Sequence, residues 1–171
     1  ASSAASDVYK RQERTFSVND ERVQVIIPRG IKSGSRLRLK GKGNFQPGTG
    51  ERGDLYLNLE VETHPVWRLE GDQLRADLPV GFDELALGAT VIAMTPDGEA
   101  QVTIPAKIAP GSSLRLRGKG WHLPDGRGDL LFILRVQLPK EWTIEEIKLL
   151  KQLRSVRPQD PRKSWLESAR L

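Results

Sequence analysis

The chain has no cysteine, a single methionine and two histidines. The first absence removes disulfides, thiolate metal sites and thiol nucleophiles together, and it fits a reducing compartment. Aromatic residues make up 6% of the chain, and mean hydropathy is −0.46. No apolar stretch approaches the length of a membrane span, so no membrane association is expected. Catalytic groupings are missing as well. His64 precedes a proline in a linker, His122 lacks a matching serine or carboxylate, and both read as surface or turn residues. The expectation is a cytoplasmic protein that is not an enzyme, with no catalytic residues, no metal and no cofactor.

What the chain does have is one unit used twice. Val25 to Gly43 reads V-I-I-P-R-G-I-K-S-G-S-R-L-R-L-K-G-K-G, and Val102 to Gly120 reads V-T-I-P-A-K-I-A-P-G-S-S-L-R-L-R-G-K-G. Pro28 matches Pro105, Gly34 matches Gly111, and Leu37 and Leu39 match Leu114 and Leu116, all at one constant offset. After a slightly shorter loop in the second copy, Gly53-Asp54-Leu55 is answered by Gly128-Asp129-Leu130. A repeat of this kind is the sequence signature of a duplicated structural unit.

Each copy reads as strand, turn, strand, loop, strand. Pro28 has no N–H to donate and stops the ladder of Gln24 to Ile27. From Ser35 to Lys40 the leucines alternate with Arg36, Arg38 and Lys40, the pattern of a half-buried strand. Gly41-Lys42-Gly43 lacks the following helix and serine or threonine of a phosphate loop, so its glycines read as turn residues. Asp54 and Asp129 each follow a glycine at a strand start, where capping a turn is the better account than metal binding. Gln73 to Val80 and Ala89 to Ile104 add further strands, with a short helical segment over Phe82 to Gly88 and a hairpin turn at Pro96-Asp97-Gly98. Beyond Pro139, Thr143 and Glu146 have capping-box spacing and predict a helix from Ile144 to about Arg154.

Two surfaces are candidates for function. The basic residues Arg36, Arg38, Lys40 and Lys42 share one strand face, echoed by Arg115, Arg117 and Lys119, in a chain of net charge +5. That face is either a solvated exterior or a site for an anionic partner, DNA or an acidic peptide. Phe16, Val18 and Trp67 are either ordinary core or an apolar groove beside a strand edge.

The motifs from V-I-I-P to G-K-G, G-D-L-Y-L, H-P-V-W-R-L-E-G-D-Q-L and F-D-E-L-A-L-G-A, with their second copies, resemble the C-terminal substrate-binding region of DnaJ-family co-chaperones. The likeness runs from Arg14 to about Arg154. It points to the group without the zinc module, since no CxxCxGxG repeat occurs, and the ending D-P-R-K-S-W resembles the tail of bacterial curved-DNA-binding members. The resemblance implies an all-β fold of two tandem β-sandwich-like domains plus a short C-terminal helix. It also implies binding of unfolded or partly folded polypeptides, transfer to a DnaK-type chaperone, and a homodimer formed through the C-terminal segment. The groove lining carries over to Phe16, Val18 and Trp67, and the dimerisation residues would be Ile147, Leu149, Leu150 and Leu153. Domains are expected at 13–62, truncated at its N-terminus, and at 63–140. A leader over 1–12 and a terminal segment over 141–171 flank them. The H-P-D motif of a J-domain does not occur, because Val66 follows His64-Pro65, so this stretch alone is not expected to stimulate the ATPase of its partner. The rival reading is a nucleoid-type DNA-binding protein using the basic faces.

Overall fold

The computed structural model describes residues 12–18, 21–48, 50–158 and 160–169. Described residues up to Gln137 cluster into one compact unit, and those from Leu138 onward into another. The expected leader lies outside the described residues except for Gln12, whose backbone already pairs with Ile27.

The first repeat consists of two antiparallel pairs. Strands β1 (Gln12–Val18) and β2 (Glu21–Ile27) form a hairpin with Phe16 opposite Val23. Side chains alternate across the pleat, so Val23 and Val25 are buried while Arg22, Gln24 and Ile26 face out. Strands β3 (Ser35–Leu39) and β4 (Leu55–Leu59) pair with Leu37 opposite Leu57. Their leucines are half-buried and Arg36 and Arg38 exposed, as the alternation requires.

The second repeat carries the main core. Strands β5 (Arg68–Glu70), β6 (Gln73–Val80), β9 (Ser113–Leu116) and β12 (Leu130–Val136) form one sheet in the order β5-β6-β12-β9. Only β6 and β12 run parallel. The hairpin of β7 (Ala89–Thr95) and β8 (Gly98–Ile104) supplies the facing layer, and α1 (Phe82–Leu87) adds Leu85. Leu74, Ala76, Leu78 and Val80 of β6 and Leu130, Phe132 and Leu134 of β12 cluster with Ala93, Val102 and Ile104 of that hairpin. Leu74, Ile104, Leu130 and Leu134 are fully buried. Each contributes about 1.5–3 kcal/mol of transfer free energy relative to an exposed side chain. A small pair, β10 (His122–Leu123) with β11 (Gly126–Arg127), completes the unit. The all-β class expected from the period-two segments is therefore the class observed.

In the second unit, α2 spans Ile144–Val156 and α3 spans Lys163–Ser168. The capping box forms as its spacing demands: Thr143 Oγ1 accepts from the Glu146 N–H at 3.1 Å, and Glu146 Oε2 accepts from the Thr143 N–H at 2.7 Å. The helix runs two residues beyond Arg154 and stops before Pro158. No residue of either helix is buried. Among the described residues, no helix is long and apolar enough to cross a membrane.

Candidate functional site

The two Gly-Asp motifs are turn clamps. Asp54 accepts from the Gly41 N–H at 2.8 Å through Oδ1 and from Arg38 Nε at 2.6 Å through Oδ2. Asp129 repeats the pattern with the Gly118 N–H at 2.9 Å and Arg115 Nε at 2.5 Å. Each carboxyl is held below the ordinary aspartate range, first by the backbone N–H and then by its arginine. Gly43 and Gly120 sit where any Cβ would strike the backbone of Asp54 and Asp129. The glycines of Gly-Lys-Gly therefore serve a turn, and among the described residues no cluster suited to a metal ion occurs.

The repeats meet at a seam. Trp121 is 6% exposed, and its Nε1–H donates to the Gly30 carbonyl at 2.8 Å. Gly30 has φ +73°, and a Cβ there would overlap the His122 carbonyl oxygen. At the matching position of the second copy stands the exposed Lys107 with φ 60°. The backbone shape alone thus tolerates a side chain, and close packing is what demands glycine at position 30. His122 is pushed toward its neutral form, chiefly by burial and then by Arg127 and Arg29. Nearby, Asp97 holds both Arg127 at 2.7 Å and Lys119 at 3.3 Å.

Beside the seam lies an apolar hollow of about 380 Å³, walled by Ile31, Val61, Trp67, Leu69, Leu74 and Trp121. Trp67 is half-buried, packs on the second-repeat core and lies 6.4 Å from the Phe132 ring centroid. It is placed by His64, whose Nδ1 accepts from the N–H groups of Val66 at 3.0 Å and Trp67 at 3.2 Å. That makes His64 a turn histidine, as its position before Pro65 suggested. Phe16 and Val18 are not among the walls of the hollow. They lie half-buried on β1, Phe16 opposite Val23 and Val18 opposite Glu21. The three apolar candidates thus divide between two places. Thr63 to Asp72 reads as a linker in the sequence, so neither β5 nor a wall residue at Leu69 is expected there. Alternation from Trp67 to Leu69, followed by the Gly71-Asp72 turn, was the available signal for β5.

The basic face is partly neutralised. Arg38 is bound to Asp54, and the Arg36 guanidinium stacks 4.2 Å from the centroid of the Tyr56 ring. Lys40 and Lys42 are exposed, while Arg115 and Lys119 of the second copy bind Asp129 and Asp97. Of the C-terminal candidates, Ile147, Leu149 and Leu153 are exposed and Leu150 is half-exposed.

Together these features define a duplicated all-β module with aspartate-clamped turns and an apolar hollow between its copies. The profile of the DnaJ C terminal domain matches residues 4–139, and the chain belongs to that family. It is 40% identical to a DnaJ-like protein of Synechocystis over 97% of this chain and 50% of the relative. It is 42% identical to chaperone protein DnaJ 2 of Thermus thermophilus over 82% of this chain and 49% of the relative. With a chaperone protein DnaJ of Xylella fastidiosa the identity is 41%, over 76% and 36%. The chain thus spans half or less of the length of these relatives, two of which carry the name of chaperones.

Proposed function

We propose that this chain is the client-binding module of a DnaJ-type co-chaperone, holding extended segments of unfolded or partly folded polypeptides and passing them to a DnaK-type chaperone. The observation that carries this reading is the outer edge of β1. Among the described residues β1 pairs with β2 alone. Val18 lies opposite Glu21 with two residues between them, a spacing at which the closing pair of a hairpin is the bonded one, and this assigns Ser17 and Thr15 to the positions whose N–H and C=O groups turn outward. Phe16 and Val18 alternate with them on the half-buried face. A client strand added at this edge satisfies the free backbone groups and sets alternate side chains against Phe16 and Val18. On this reading the module acts in the cytoplasm and as a homodimer, and the exposed apolar residues of α2 support the second part. Leu149, Leu153 and Val156 follow one another by single helical turns, with Ile147 and Leu150 beside them.

The test is binding of a labelled, end-capped peptide of alternating phenylalanine and serine. Phe16→Ser should weaken binding by roughly 1–2 kcal/mol, as expected for an interface anchor. Unchanged affinity in a folded variant would remove β1 as the client site.

A further inference from the structure

The free edge of β5 and the hollow beside it form a second place where an extended chain fits. Gly71 and Asp72 make a two-residue turn between β5 and β6, so Glu70 and Gln73 are the bonded pair that closes it. Leu69 and Leu74 are then the next, non-bonded pair, and both turn their N–H and C=O groups away from each other. Those of Leu74 point into the sheet, where its N–H reaches the Asp129 carbonyl at 3.1 Å. Those of Leu69 point off the sheet, because β5 is its outermost strand, and no described residue bonds them. The Leu69 side chain meanwhile forms part of the wall of the hollow.

We propose that the hollow at the repeat seam is a second client subsite. A polypeptide adds as a strand to the Leu69 edge and sets one large apolar side chain against Trp67. This rests on the reading of the chain as a client binder. Three observations converge on such an occupant. An added strand places side chains on the same face as Leu69, and therefore in the hollow. A volume of about 380 Å³ is ample for one aromatic side chain. The rim cations are already neutralised, Lys32 by Asp72 at 2.7 Å and Arg68 by Asp77 at 2.8 Å, and Glu62 adds a carboxylate to the lining, so the rim disfavours an acidic segment. Two subsites, at β1 and at β5, let one module hold two separated apolar stretches of a single client, which strengthens retention without any tighter single contact.

Photo-cross-linking on the unmodified chain tests this. The probe is the same alternating peptide with one phenylalanine replaced by benzoylphenylalanine, and the linked sites are mapped by mass spectrometry. Cross-links are expected within 61–69 as well as on β1, and those within 61–69 should persist in Phe16→Ser. Val61→Arg, which fills the hollow, should abolish them and weaken the remaining affinity of Phe16→Ser about tenfold. Cross-links confined to β1 would overturn the second subsite and leave client binding standing. A peptide that does not bind the unmodified chain at all would remove both. Should Val61→Arg fail to fold, the cross-link map of the unmodified chain decides alone.

Discussion

Gly30→Ala separates the strain of a turn from the packing of the seam, because Gly34→Ala provides a matched control. The two glycines have similar dihedrals, φ +73° and +82°. At Gly34 a Cβ meets nothing within 4 Å, so alanine bears only the left-handed cost, about 1–2 kcal/mol. At Gly30 the same strain is joined by overlap with the His122 backbone. The turn must withdraw, and the Trp121 indole N–H loses the Gly30 carbonyl. Stranding a buried donor costs about 1–3 kcal/mol in addition. Gly30→Ala should therefore be less stable than Gly34→Ala by roughly 2 kcal/mol, which for a chain of this size lowers the melting midpoint by about 4–8 °C more. Thermal unfolding followed by tryptophan fluorescence reads this directly, since Trp121 sits at the seam. Coincident midpoints for the two variants would refute the claim that packing between the repeats, and not the turn, requires glycine at position 30.

The Asp54 and Asp129 clamps predict acid sensitivity of a definite sign. Their folded-state acidity lies below the ordinary value of 3.8, so their stabilisation is complete above that pH and disappears as pH falls through the lowered values. The double variant Asp54→Asn/Asp129→Asn should lose part of the fall in stability below about pH 4, as measured by urea unfolding at stepped pH. The C-terminal helix carries a separate prediction. Leu149→Glu/Leu153→Glu should halve the mass seen by light scattering while leaving the melting of the β unit unchanged, and an unaltered mass would exclude α2 as the dimer contact.

Much of the fold was legible because local period and local chemistry decide it. Alternation in Ser35 to Leu39 gave a strand with leucines inward, the Gly-Asp motifs gave turn clamps, and Thr143 with Glu146 gave the cap of α2. The helix α3 was missed because its six residues carry no apolar periodicity to read. The parallel pairing of β6 with β12 joins segments far apart in the chain, and nothing within either segment names its neighbour, although the unbroken apolar run from Leu130 to Leu134 is the composition of a strand flanked on both sides. The seam was hidden for the same reason. Trp121 and Gly30 are ordinary residues in their own surroundings and acquire their roles only when the copies meet. The candidate groove came from the resemblance and not from local pattern, since nothing in the surroundings of Phe16, Val18 or Trp67 in the sequence distinguishes a groove from core. The resemblance placed Phe16, Val18 and Trp67 together, whereas the chain carries Trp67 to the seam by way of the His64 turn and leaves Phe16 and Val18 on β1.

The central claim, that this module holds non-native polypeptide through apolar strand-edge contacts, is tested most directly by suppression of aggregation of a denatured client at low and at high salt. Contacts to Phe16, Val18 and the Trp67 hollow predict suppression at both, with little change as salt rises. Failure to suppress at either salt, or suppression that vanishes steeply with salt as counterion release at the basic face requires, would contradict it.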